Sequence, residues 1–185
     1  MSRVRERYGV ESTIGLIVDV QDRLVPHIHG NQRVIRRAEL FIRGLTILGV
    51  PHLFTEQYPK GLGRTHPSLS ENLADAQRVE KIEFSCMAND LFRHALQETG
   101  RRSLLIAGME THVCVQQTAL DALRDGYLVT VLADAIGSRS PTDRDIALEH
   151  MRYEGVRIGT VESVLFELCS VAGTDRFKRL SQLLK

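Results

Sequence analysis

The stretch Leu104–Ala119, LLIAGMETHVCVQQTA, decides how the chain is read. Leu104 to Ala107 form an unbroken apolar run that ends at Gly108. Such a run, without alternation, marks a strand buried on both faces. Met109-Glu110-Thr111-His112 then turns, and from Val113 the pattern predicts a helix with Cys114 at its very start. Unpaired N–H groups and the helix dipole would favour a thiolate there. Free cysteine is also commonly a small buried hydrophobe. Position alone leaves both readings open.

Working outward, the same alternation of short strand and helix recurs. Ile14–Val18 reads as a first central strand, running into Asp19. Asn31–Leu48 carries Val34, Ile35, Ala38, Phe41, Ile42, Leu45 and Leu48 at helical spacing, and Gly49 ends it. Pro51–Thr55 is a second strand, which completes a βαβ unit. A turn-rich loop, Glu56–Pro67, follows it. Gln77–Lys81 is the next strand, and a helix capped by Ser85 or Asn89 runs to about Thr99. Beyond the opening stretch, a helix over Val113–Arg124 leads to a strand over Leu128–Leu132 and on to Asp134. A helix from about Thr142 to Tyr153, a short strand Val156–Gly159, and helices Val161–Cys169 and Asp175–Leu184 complete the chain. The pattern predicts an α/β fold: one Rossmann-like domain, a parallel six-stranded sheet with helices on both faces. Met1–Ser12 reads as a polar lead-in and residues 13–185 as the domain.

Composition narrows the partners. The chain has 185 residues, is 43% hydrophobic and 25% charged, and carries a formal net charge of +1. That balance favours a small-molecule substrate over nucleic acid or an anionic membrane. Arg3, Arg5 and Arg7 make a basic start, but no long apolar run follows, and Glu6 and Glu11 interrupt it. Neither a secretory signal nor a mitochondrial presequence is expected. Cys86, Cys114 and Cys169 are odd in number and widely spaced, with no CxxC pair. They predict neither a disulfide framework nor a structural zinc, and they suit a reducing, cytoplasmic setting. Gly61-Leu62-Gly63 lacks the third glycine of a dinucleotide fingerprint, so no cofactor is expected.

Three polar groups fall at strand ends: Asp19, Lys81 and Cys114. In a doubly wound sheet those ends gather along one edge, where ligands bind. An acid, an amine and a thiol there form a coherent set. Lys81 would stabilise a thiolate, and Asp19 would move protons to and from the sulfur or a leaving group.

At these residues the chain resembles the isochorismatase-like cysteine hydrolases, which include nicotinamidases and N-carbamoylsarcosine amidases. VDVQ (Val18–Gln21), KIEFSC (Lys81–Cys86), GMETHVCVQQTALDAL (Gly108–Leu123) and VLADAIGS (Val131–Ser138) carry the likeness. TEQYPKGLG (Thr55–Gly63) and ESVLFELC (Glu162–Cys169) point within it to the isochorismatase-domain-containing proteins. The resemblance implies an Asp19–Lys81–Cys114 catalytic triad and a cis peptide at Met109–Glu110. It also implies an oxyanion hole from the backbone N–H groups of Glu110 and Cys114. It implies a homo-oligomer, a dimer or larger. Nicotinamidases bind a metal through an Asp-x-His pair, where this chain has Thr55-Glu56-Gln57-Tyr58. Glu56 and His66 alone make a thin metal site, so no metal is expected. Isochorismatases that cleave a vinyl ether lack the nucleophilic cysteine, which is present here.

The resulting expectation is a metal-independent cysteine hydrolase of small amides or related carbonyl compounds. Its alternative is a non-catalytic or redox-sensing protein that keeps the fold. Gln21, Leu24 and Tyr58 are candidate substrate contacts. Thr111 is expected to cap the helix start, and Cys86 and Cys169 to pack in the core. His27, His29, His52 and His112 show no ligand spacing, and Asp134 is expected to fix a loop.

Overall fold

The structure, a computed structural model, describes residues 7–185. Its single sheet has six strands: β1 (Thr13–Val18), β2 (His52–Gln57), β3 (Gln77–Lys81), β4 (Ser103–Met109), β5 (Leu128–Gly137) and β6 (Arg157–Gly159). They lie in the order β3-β2-β1-β4-β5-β6, and every described pairing between them is parallel. The α-helices among the described residues are α1 (Asn31–Leu48), α2 (Pro59–Leu62), α3 (Pro67–Ser70), α4 (Asp90–Glu98), α5 (Gln116–Arg124), α6 (Pro141–Tyr153), α7 (Val161–Cys169) and α8 (Asp175–Leu183). The expected Rossmann-like α/β architecture is thus the one observed.

The apolar runs explain the layering. β1 and β4 are buried along their whole length. Their side chains alternate between two cores, as a strand period of two requires. Ile17, Leu105 and Ala107 pack with α1, α7 and α8 on one face, while Ile14, Leu16, Leu104 and Ile106 pack with α4, α5 and α6 on the other. α1 ends at Gly49, which adopts φ 72° and returns its N–H to Leu45 and Thr46 carbonyls, a glycine C-cap. Asn89 caps α4 by accepting from Phe92 N–H at 3.0 Å; Ser85 takes no part.

Four expectations need amendment. β2 runs two residues further than Thr55, through Glu56 and Gln57, and the loop after it folds into α2 and α3. β5 extends to Gly137 because a register shift opposite Ile106 and Gly108 lets the ladder continue past Asp134. In the lead-in, Arg3 and Arg5 lie outside the described residues, and Tyr8 is buried with the Arg157 guanidinium 4.9 Å above its ring. Cys169 is only half-buried, at the last residue of α7, where its thiol turns toward Val171 O. Among the described residues, no helix is long and apolar enough to cross a membrane.

The strand order reverses between β1 and β4. Ligand sites of open α/β sheets form at that switch point, beyond the carboxyl ends of the strands. Backbones meet closely there: Val18 pairs with Gly108, and a Cβ on Gly108 would sit 2.1 Å from Val18 O. Gly108 also holds φ +123°, so only glycine fits without strain.

Candidate active site

Asp19 follows β1 directly and turns the chain with φ 50°. A left-handed conformation in a non-glycine residue is costly and clusters at functional sites. The Asp19 side chain is buried, and each carboxylate oxygen has a protein donor. Thr55 Oγ1 donates to Oδ1 at 2.7 Å, and Lys81 Nζ donates to Oδ2 at 2.7 Å. Thr55 sits in β2 and Lys81 ends β3, so three neighbouring strands build this contact.

The Lys81 side chain is 0% exposed. Besides Asp19, its ammonium donates to Gln57 Oε1 at 2.7 Å and faces the carbonyls of Glu83 and Phe84 at 3.2 and 3.3 Å. Burial pulls its pKa down, but Asp19, Cys86 and Cys114 pull it up by more, and the net shift is upward. Lys81 is an ammonium whose three protons have four acceptors, with none left for the thiol.

Cys114 stands on one turn of π-helix, Thr111–Val115, that leads into α5. Single π turns recur at functional sites. The α-helix expected from Val113 therefore starts later, at Gln116. The Met109–Glu110 peptide bond is cis. Glu110 heads the turn, and Thr111 makes no capping bond; its buried hydroxyl has no hydrogen-bond partner among the described residues. The sulfur sits beside the Asp19 carboxylate and 3.9 Å from Gln57 Oε1. Burial pushes the Cys114 thiol well above its ordinary pKa; the Asp19 charge adds to this, and Lys81 offsets only part. The expected thiolate is thus corrected to a thiol. Cys114 is only 7% exposed, and the anion beside it outweighs the ammonium.

A cavity of about 250 Å³ opens over the sulfur. Leu24, Leu62, Phe84 and Val113 form apolar walls, and Asp19, Gln57 and Cys114 supply the polar part. Glu110 and Arg139 complete it, joined by an ion pair from Arg139 Nε to Glu110 Oε1 at 2.7 Å. His112 backs this pair: its Nε2 lies 3.7 Å from Glu110 Oε2, and its Nδ1 is 2.9 Å from Ser138 Oγ.

Of the three suggested substrate contacts, only Leu24 lines this cavity. Gln21 is fully buried and spends its amide on backbone: it bonds Gln57 N–H and C=O at 2.7 and 3.0 Å and Gly63 O at 2.7 Å. Tyr58 is 54% exposed and borders an adjoining hollow with Pro59 and Ile82. Its φ of 38° turns the chain away after β2. Cys86 packs in the core as expected, and burial pushes its thiol up to about 11. Asp134 fixes a junction, accepting from Arg37 and from Val161 N–H at the start of α7.

Glu56 and His66 do not converge. Glu56 binds Thr65 and Arg64, and the His66 ring accepts from Ser68 N–H at the start of α3. Among the described residues, no group of three His, Cys, Asp or Glu side chains is placed to hold a metal ion.

Sequence reasoning missed Gln57 and Arg139. Gln57 had a signal: it lies two residues past Thr55, so a strand extended by one period puts both on one face. Arg139 had only its place after VLADAIGS, and its partner Glu110 is 29 residues away.

An isochorismatase domain model matches residues 13–163. Isochorismatase family protein 1B of Dictyostelium discoideum is 38% identical over 179 residues, covering 95% of this chain and 87% of that one. Among solved structures, one described as MAR1 ribonuclease from Caenorhabditis elegans superposes with a TM-score of 0.91 at 33% identity, covering 97% of this chain and 92% of that one. The Escherichia coli YcaC gene product, described as an octameric hydrolase of unknown specificity, superposes with a TM-score of 0.93 at 25% identity, covering 99% of this chain and 91% of that one.

Proposed function

The chain belongs to the isochorismatase family, and from that premise we propose that it is a metal-independent cysteine hydrolase of small amides or related carbonyl compounds. The observation that carries this reading is the buried Asp19–Lys81 pair beside Cys114, under a small cavity at the switch point of the sheet. A base beside a nucleophile, itself held by a third group, is the arrangement of covalent catalysis.

In this reading the resting state is Cys114 thiol, Asp19 carboxylate and Lys81 ammonium. As the sulfur attacks the substrate carbonyl, its proton passes to Asp19. The carbonyl oxygen becomes an oxyanion held by the backbone N–H groups of Glu110 and Cys114. One fixed donor of this kind is worth about 10²–10³ in rate. Asp19 then gives its proton to the leaving nitrogen, and the carbon–nitrogen bond breaks to leave a thioester. Water attacks the thioester with Asp19 as base, the acid leaves, and the proton returns to sulfur. Lys81 stays charged throughout and holds the Asp19 carboxyl in place beside the sulfur.

The elevated thiol disfavours the redox-sensing alternative, because sensor cysteines combine low pKa with exposure. The cavity is at the small end of ligand sites and fits a small molecule better than a strand of RNA, and the net charge of +1 offers little to phosphates. Three free thiols fit a reducing, cytoplasmic setting. The octameric relative supports a homo-oligomer, and exposed Tyr58, Ile82 and Phe84 give this chain apolar surface that such an assembly would cover.

The test is an ammonia-release screen over small primary amides, with wild type against Cys114→Ala, and an RNA oligonucleotide cleavage assay run alongside. Turnover is expected from wild type on at least one amide, with a loss of at least 10³-fold in the variant. An amide turned over equally by both proteins would sink the mechanism.

A further inference from the structure

We propose that Gln57 makes the site selective for substrates whose reacting carbonyl carries an N–H group, so that amides and ureas are accepted over esters of the same shape. This rests on the reading of Cys114 as the attacking group.

The Gln57 amide can face only one way. Its Nε2 donates to Ile82 O at 2.8 Å, and its Oε1 accepts from Lys81 Nζ at 2.7 Å. The flipped amide would press its NH₂ against an ammonium and leave Ile82 O facing an oxygen. The residue beneath the amide is equally constrained, because buried Gln21 grips both backbone groups of Gln57. A carbonyl oxygen is therefore set beside the sulfur, 3.9 Å from Cys114 Sγ. It has two lone pairs. Lys81 takes one and the resting Cys114 thiol donates to the other; once the sulfur gives its proton to Asp19 and attacks, that second lone pair is free for a group on the bound substrate.

The surroundings reinforce this polarity. The other side-chain group beside the sulfur is the Asp19 carboxylate, also an acceptor. Lys81 cannot turn a proton toward the substrate while Asp19, Gln57, Glu83 and Phe84 hold it. With the substrate carbonyl oxygen on backbone donors, its remaining substituent is left against two acceptors. An N–H pairs with them. An ester oxygen sets lone pair against lone pair and leaves Gln57 Oε1 short of a partner. Sites built to pair a substrate N–H reject analogues that lack it, because their own buried polar groups go unpaired.

The experiment compares alkylation of Cys114 by N-methyliodoacetamide and methyl iodoacetate, which match in shape and differ in NH against O. In both, sulfur displaces iodide, a carbon–sulfur bond forms, and the thiol proton leaves with a base. Peptide mapping follows Cys114, and each rate is divided by that for glutathione at the same pH. The ratio of the two reagents cancels any change in thiol pKa. Wild type is expected to favour the amide reagent about tenfold after this correction. Gln57→Met should abolish the preference, and Gln57→Glu, which keeps an acceptor oxygen, should retain it. A wild-type ratio equal to that of glutathione overturns the proposal whether or not either variant folds. So does a preference that persists in Gln57→Met, or a Cys114 that takes neither reagent. No turnover is needed, so an absence of ammonia release in the amide screen would sink the hydrolase reading separately.

Discussion

Two buried carboxylates meet β2 from opposite faces. Asp19 lies against Thr55, and Glu56 points the other way. Both are about 1% exposed or less, and they are satisfied differently. Glu56 accepts from Thr65 N–H and Oγ1 at 2.7 and 2.9 Å and pairs with Arg64 at 3.0 Å and Arg78 at 3.7 Å. Its arginines are 61% and 45% exposed, so their charges stay hydrated. Asp19 instead has a cation that is buried with it, a threonine, and a thiol beside an open cavity. A carboxylate ringed by donors from Arg64 and Thr65 of the following loop and Arg78 of β3 anchors that loop to the sheet. A carboxylate left next to a nucleophile and a space has chemistry still available to it. The difference lies in what each pair leaves open.

Lys81→Met should break the contrast most severely. It leaves the Asp19 carboxylate buried beside an uncharged side chain, and breaking one partner of a buried pair costs about 3–5 kcal/mol. For a chain of this size that corresponds to a fall of about 10 °C in thermal midpoint. Amide turnover, once a substrate is found, should fall by at least 10²-fold. Calorimetry and ammonia release on the same preparation check both. A variant as stable as wild type would show that Asp19 is comfortable without its ammonium.

Glu56→Gln should have a smaller and one-sided effect. Burial raises the Glu56 pKa, but Thr65, Arg64 and Arg78 lower it by more, and the net shift is downward. A depressed carboxylate contributes stability above its unfolded pKa and loses it as pH falls through the folded value. The variant should therefore be about 1–2 kcal/mol less stable at neutral pH, with the gap narrowing in acid. Turnover should stay within about threefold, because Glu56 does not reach the cavity. Loss of activity without loss of stability would move Glu56 to the side of Asp19.

The fold was legible because its signals are local. The apolar runs at Ile14 and Leu104, the helical stripe from Val34 to Leu48, and Gly49 each name their own structure. Asp19, Lys81 and Cys114 were legible because each stands at the end of a strand, and parallel strands bring such ends together. What escaped was set by distance and by charge balance. Arg139 meets Glu110 only after β5 bulges, and Gln57 depends on where β2 stops. The thiolate expected at Cys114 rested on the helix start and Lys81. Sequence gives no account of burial, or of an ammonium whose protons are already taken. Tyr58 carried the composition of a pocket residue, and a left-handed turn sent it outward.

The smallest effect is expected at Cys86, and it sharpens the comparison by separating two thiols near one carboxylate. Cys86 is fully buried, its thiol faces Thr55 Oγ1 at 3.9 Å, and it reaches no cavity wall over Cys114. Burial pushes it up to about 11, so it is neutral at physiological pH. Cys86→Ala should cost about 1 kcal/mol and leave turnover within twofold. Cys114 is also raised, by burial and then by Asp19, so its alkylation rate should keep rising with pH past about 8.5, where a free thiol is half-ionised. That profile should be the same in wild type and in Cys86→Ala. A plateau near neutral pH would mean that Lys81 governs the sulfur after all. A profile that moves when Cys86 is removed would make the second thiol part of the site rather than part of the core.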